Sequence, residues 1–194
     1  MDSAPSPVPD SDFPDLDAFR PYLTVLARGQ IPVSMQARLD ASDIVQETLL
    51  EAYRKRHQFQ GGQEARQLAG WLRQLLSCNL IDAFRTQRRD QRDVRREQML
   101  PHSVDESAMG LDALLIANDS SPSEAVDKRF RALEVARAIE QLPDQQRDAI
   151  MLRYFQKTTL EEIANHMQKS KPAVAGLLKR GLATLRERLN KEDV

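Results

Sequence analysis

The sequence predicts an all-α protein of two small helical domains joined by an acidic linker. Apolar residues recur at helical spacing through most of its length, and little of it alternates as a half-buried strand would. Seven glycines in 194 residues and low aromatic content also argue against an all-β chain and suit small helical cores. The charge layout supplies the division. Residues 1–40 carry six acids against three Lys or Arg, and 41–98 carry eight against eleven. Residues 99–127 carry six acids and no Lys or Arg, whereas 128–194 carry nine acids against fourteen bases. Two basic modules around an acidic stretch suit a polyanion gripped at two places, a pattern that the net charge of −1 conceals.

Composition removes several classes. The one cysteine, Cys78, permits no internal disulfide and no Cys-rich zinc site, and its expected place is a buried structural thiol. His57, His102 and His166 are scattered, and neither GxxxxGK[ST] nor GxGxxG occurs. Nothing supplies a nucleophile with a positioned base or metal. The expectation is therefore a protein that is not an enzyme, with no metal and no cofactor. No apolar run approaches membrane-spanning length, and the acidic, Pro-rich start is unlike a signal peptide. A soluble cytoplasmic protein is expected.

Residues 1–12 have the Pro, Ser and Asp content of a disordered tail. A first domain runs over 13–98. Leu16, Phe19, Leu23 and Leu26 predict an amphipathic helix closing near Gly29, and Met35 and Leu39 a short helical piece after it. Ser42 is placed to cap the helix DIVQETLLEAYRKRHQF. There Ile44, Val45, Leu49, Ala52 and Tyr53 form the apolar face, with Asp43, Gln46, Glu47 and Glu51 mostly on another. Acids in its first turn suit the helix dipole. Gly61 and Gly62 then break the chain. A long helix from about Glu64 to Arg89 follows, with Leu68, Trp71, Leu72, Leu75, Leu76, Ile81 and Phe84 in core phase. After Phe84 the apolar stripe gives way to Arg85, Arg88, Arg89, Arg92, Arg95 and Arg96. Six arginines against Asp90 and Asp93 exceed what a helix C-terminus needs and read as a phosphate-tracking surface.

Residues 99–125 read as the acidic linker, with one apolar island at Leu111–Ile116. The second domain, 126–194, takes up helical spacing through Phe130, Leu133, Val135, Ala138, Ile139 and Leu142. After Pro143, DQQRDAIMLRYF makes a short helix. Thr159 and Glu162 form a capping box for the next helix. Ser170 caps the last one, with Pro172 in its first turn, where a missing N–H does no harm. Val174, Leu177, Leu178, Leu182, Leu185 and Leu189 form its buried stripe; Lys171, Lys179 and Arg180 lie off it. This is a helix-turn-helix pattern, whose second helix enters the DNA major groove.

Two stretches together resemble one family. DIVQETLLEAY followed by GWLRQLLSCNLIDAFR is similar to the second conserved region of bacterial sigma factors. LPDQQRDAIMLRYFQKTTLEEIA with AVAGLLKRGLATLRERL is similar to the fourth. The resemblance runs from about Phe13 to Leu189. With an acidic connector and no third-region domain between, it points to the extracytoplasmic-function group. It implies a factor that binds core RNA polymerase, recognises promoter DNA, assists strand opening and starts transcription. The polymerase contacts it implies are Asp43, Gln46 and Glu47, on the coiled-coil clamp of the largest subunit. At the −10 element it implies Asn79, Asp82, Arg85, Arg88 and Arg89, with the loop Gln58–Glu64 helping to hold a flipped base. Trp71, in phase with Leu68, Leu72 and Leu75, reads as core rather than as a base-stacking ring. At the −35 element the implied positions are Ser170, Lys171, Ala173, Lys179 and Arg180. An anti-sigma factor or other regulatory protein is a further partner of the kind this family uses; a membrane is not.

The chain departs from the family pattern in its helix-turn-helix. Gln168 stands where Gly is usual, and a non-Gly residue at positive φ there costs about 1 kcal/mol. Lys169 replaces the usual apolar turn residue. Ala175, Gly176 and Leu177 stand where Lys, Ser and Arg are frequent, which removes side chains able to pair with base edges and implies weak −35 readout. Two other readings of the residues remain. A stand-alone helix-turn-helix regulator would bind duplex DNA alone and need neither DIVQET nor the arginine-tailed helix. A non-DNA interaction module would use the acidic helix and the apolar island to hold a regulatory partner.

Overall fold

In the computed structural model, residues 13–59, 65–90, 104 and 128–192 are described, and all regular structure among them is helical. A 3₁₀ turn, Leu16–Phe19, is capped by Asp15, whose carboxylate accepts the Asp17 N–H at 2.9 Å. It leads into α1 (Arg20–Gln30), with Pro21 in the first turn. A helix that meets solvent along one side should bury one stripe. In α1, however, Tyr22 through Ala27 are all buried, and so are Gly29 and Gln30. The reason is tertiary: α1 packs on α2 and α3 on one side and on the C-terminal half of the chain on the other, which makes it a central pillar.

Helix α2 (Ala41–Arg54) starts one residue before Ser42. Its cap is Asp40, whose Oδ1 accepts the Ser42 N–H at 2.8 Å, so Ser42 supplies the capped N–H and not the capping oxygen. Helix α3 (Ala65–Asp90) buries Leu68, Leu72, Leu75, Leu76, Leu80 and Phe84 against α2 and α1. Leu80, not Ile81, fills the core position, because the 68–72–76–80–84 row keeps four-residue spacing along one ridge. Cys78 is exposed, which corrects the expected buried thiol. It lies on the face of α3 turned away from that ridge.

Helix α4 (Lys128–Glu140) buries Val135, Ala136, Ala138 and Ile139 between α1 and the last helix. Val104, from the stretch between the halves, is buried in the same core. The rest of the expected linker, its apolar island included, lies outside the described residues. Helix α5 (Asp144–Ile150) runs into a π-helical turn, Met151–Phe155, that buries Phe155. Helices α6 (Leu160–His166) and α7 (Lys171–Glu192) complete the chain. Their small separate core is Leu152, Ile163, Ala164 and Val174.

The two halves share one continuous apolar core, and polar contacts pin its edge. Arg28 Nη1 pairs with Glu140 Oε1 at 2.7 Å. Gln156 Nε2 donates to the Arg28 and Ile31 carbonyls at 3.2 and 3.0 Å. Beside them a crevice of about 550 Å³ is walled by Arg28, Arg38, Asp43, Arg147, Asp148 and His166, among others. Asp148 counts among the exposed residues, yet the crevice walls crowd its carboxyl. That desolvation raises its pKa against the pull of Arg147, Arg28 and His166.

Candidate functional site

Three surfaces carry the residues singled out in the sequence. The first is the outer face of α2. Burial of Ala41, Ile44, Val45, Thr48, Leu49 and Ala52 fixes the opposite side of the helix, so Asp43, Gln46 and Glu47 face solvent together. The same face exposes two large apolar side chains, Leu50 at 41% and Tyr53 at 57%. Tyr53 is thus not part of the core, against the periodicity reading. Arg56 stacks its guanidinium 4.5 Å from the Tyr53 ring centre and donates to the Tyr53 carbonyl at 3.0 Å, which holds the ring in place. An acidic helix face bearing an ordered aromatic ring and a leucine has the chemistry of a protein-docking surface. Leu50 and Tyr53 were missed because apolar spacing alone does not separate core from interface.

The second surface is the distal end of α3. Asp82 and Arg85 are both exposed and make a loose pair at 3.4 Å, which leaves the guanidinium available to another anion. Arg88 and Arg89 lie on the last turns of α3, though their side chains, like Arg92, Arg95 and Arg96, fall outside the described residues. Asn79 is placed differently. Its half-buried amide points back at α2, where Nδ2 donates to Thr48 Oγ1 at 3.1 Å and to Glu51 Oε2 at 3.0 Å. Glu51 also accepts Lys55 Nζ at 2.6 Å, and these hydrogen bonds, that from Lys55 above all, hold its pKa below the ordinary value. At the other end of α3, Trp71 packs on Phe59 with ring centres 5.3 Å apart, and Phe13 meets Phe59 edge-on at 6.1 Å. Trp71 is partly buried and packs against the edge of the core. This aromatic cluster anchors the segment that enters the Gln58–Glu64 loop, of which Gln58 and Phe59 are described.

The third surface is the start of α7. The capping box forms as the sequence implies: the Thr159 N–H donates to Glu162 Oε2 at 2.9 Å, and the Glu162 N–H to Thr159 Oγ1 at 3.3 Å. The Thr159 hydroxyl and N–H together lower the Glu162 pKa. Gln168 takes φ 52°, the left-handed conformation usually left to glycine. The Lys169 N–H closes back on the Ala164 carbonyl at 2.9 Å. Ser170 Oγ accepts the Ala173 N–H at 3.3 Å. Lys171, Ala173, Ala175, Lys179 and Arg180 are exposed, with Lys171 tethered to Glu161 at 2.9 Å. Arg180 folds across Gly176, its Nη1 only 3.3 Å from where a Cβ would stand. The exposed face of this helix therefore offers Lys179 and Arg180 set among methyl groups and bare backbone. Such a face carries few side chains able to pair bidentately with a base edge.

Among the described residues, no group of His, Cys, Asp and Glu could hold a metal ion, and no helix is long and apolar enough to cross a membrane.

Two family models match the chain. The model for Sigma-70 region 2 matches residues 18–90, which span α1, α2 and α3. The model for Sigma-70, region 4 matches residues 138–187, from the end of α4 into α7. A region 2 paired with a region 4 fits the extracytoplasmic-function group. The chain belongs to the sigma-70 family, as a sigma factor that binds core RNA polymerase and promoter DNA and acts in promoter recognition and transcription initiation.

Proposed function

We propose that the three surfaces divide this work. The outer face of α2 docks on core polymerase through Asp43, Gln46 and Glu47, with Leu50 and Tyr53 as its apolar centre. The observation that carries this reading is the exposure of Leu50 and Tyr53 beside those polar residues on a helix whose other side is closed. Asp82, Arg85, Arg88 and Arg89 meet the −10 DNA. Ser170, Lys171, Ala173, Lys179 and Arg180 meet the −35 element. The polymerase-and-−10 module occupies 13–98, the linker 99–125 and the −35 module 126–194. The protein is not an enzyme and works in the cytoplasm. Its contribution to strand opening is binding energy: extruding a base costs a few kcal/mol, which capture of the open strand recovers.

The two promoter elements are centred about 25 base pairs apart, on the order of 80 Å along the duplex. A compact chain of this length is only about 40 Å across. Engagement of both elements therefore requires α1 and α4 to part.

The reading is tested by retention of core polymerase on wild type and on Asp43→Ala/Glu47→Ala, followed by run-off transcription from a promoter pool. Retention and transcripts with wild type, lost in the double variant, are expected. Duplex binding without polymerase association would make the protein a stand-alone regulator instead.

A further inference from the structure

Asn79 occupies a position from which the family resemblance implies contact with promoter DNA, but its amide N–H donors are already committed. A primary amide has two N–H donors. Both of Asn79's are spent on α2, on Thr48 Oγ1 and Glu51 Oε2. Thr48 is fully buried, and its own hydroxyl proton goes to the Ile44 carbonyl at 2.7 Å, so Oγ1 is free to accept. Glu51 divides its carboxylate between Asn79 and Lys55. A continuous chain of donors and acceptors thus runs from the Lys55 ammonium, through Glu51, Asn79 and Thr48, to the α2 backbone. It crosses the interface between α2 and α3 at mid-height, and two of its members, Thr48 and Glu51, directly follow the exposed Glu47 and Leu50 in the chain.

We infer that Asn79 is a positioning residue: it braces α3 against α2, so that docking of α2 on polymerase sets the direction of the arginine end of α3. The inference rests on the functional reading above and deepens it. The chemistry explains the residue type. Leucine would leave the Thr48 and Glu51 oxygens without these donors at a part-buried interface. Aspartate would set a second carboxylate against Glu51, where like charges repel. An Asn79 that donated to a base would have to give up one leg of the brace each time DNA is bound.

The test is a compensating pair. Asn79→Asp breaks the brace by charge repulsion; Glu51→Gln added to it restores an amide donor facing a carboxylate in the opposite sense, and the Thr48 hydroxyl can turn from the Ile44 carbonyl to donate to that carboxylate. Strand opening by the reconstituted holoenzyme, read as permanganate reactivity of the −10 region, is expected to fall at least tenfold with Asn79→Asp. In Asn79→Asp/Glu51→Gln it is expected to return to within about threefold of wild type; the tenfold loss is the scale of one hydrogen bond to a charged group. Core polymerase affinity, which depends on the outer face of α2, should change less than twofold in both. Thermal unfolding of the free full-length variants provides a cycle that reads the coupling of positions 51 and 79 without polymerase.

Opening lost in the single variant and still absent in the double, with wild-type folding and core affinity, would make Asn79 a DNA contact and overturn the inference. Wild-type opening in Asn79→Asp would overturn it equally. Failure of the wild-type protein to bind core polymerase would instead sink the functional reading, while the unfolding cycle still reports whether the brace exists.

Discussion

The α2–α3 pair and the α6–α7 pair each set one partner-facing helix against a support, but they do it by different means. Between α2 and α3 a long leucine ridge is supplemented by the part-buried polar brace of Thr48, Glu51 and Asn79. Between α6 and α7 the fully buried part of the separate core, among the described residues, is Leu152, Ile163, Ala164 and Val174, and backbone devices add to the fixing: a capping box, a left-handed Gln168 and the Ser170 cap. The functional faces differ in the same direction. The α2 face presents an ordered tyrosine, a leucine and acids, which is a surface for side-chain recognition. The α7 face presents Lys171, Lys179 and Arg180 among small groups, which suits a phosphate backbone. The difference teaches that the first pair holds a fixed side-chain geometry, whereas the second needs only to present its helix.

The largest effects should come from breaking the smaller core. Ile163→Ala removes a fully buried side chain from a cluster with few neighbours to close the gap, and should cost about 2–5 kcal/mol in thermal or denaturant unfolding. If the two halves unfold as one, a single transition shifts; if the α6–α7 pair melts first, the comparison sharpens into two.

A local clash comes next. A methyl on Gly181 would meet Ile150 Cδ1 at 2.8 Å, so Gly181→Ala should cost about 1–3 kcal/mol. Gly176→Ala should be far milder, because only the flexible end of Arg180 is in the way.

Backbone relief should work the other way. Gln168→Gly should stabilise the protein by about 1 kcal/mol, since φ 52° no longer opposes a side chain. An unchanged midpoint would mean that the left-handed turn carries no strain.

Lys179→Ala/Arg180→Ala tests the phosphate reading of α7. Each lost phosphate contact should reduce the slope of log affinity against log salt by about 0.9, with no change in the ranking of −35 sequences. If base changes in that element cost well over 1 kcal/mol each, the weak-readout account fails.

The smallest expected effect is that of Asp148→Asn. A carboxyl whose folded pKa is raised destabilises the native state above that pKa and ceases to do so as pH falls below the unfolded value. The substitution should therefore raise the melting temperature at neutral pH, with the gain fading through the acid range.

Local chemistry was legible in the sequence, and tertiary chemistry was not. The Thr159–Glu162 box, the Ser170 cap and the unusual Gln168 all act within a few residues, and each stands where the sequence put it. The leucine ridge of α3 was legible apart from the choice between Leu80 and Ile81, a matter of rotation within one turn. Tyr53 was misplaced because an apolar residue kept for a partner has the same spacing as one kept for a core. The burial of α1 well beyond one stripe depends on α4, more than a hundred positions away, and no window of sequence contains both. The partners of Asn79 lie on another helix and could not be read from its own.

The most direct test of this division of labour is permanganate mapping of one promoter with two holoenzymes, one carrying Asp43→Ala/Glu47→Ala and the other Lys179→Ala/Arg180→Ala. The account predicts that the first loses −10 opening because polymerase is not retained. The second should keep polymerase, open the same bases, and need only more protein or less salt to do so. Full opening by the α2 variant, or loss of polymerase by the α7 variant, would contradict it.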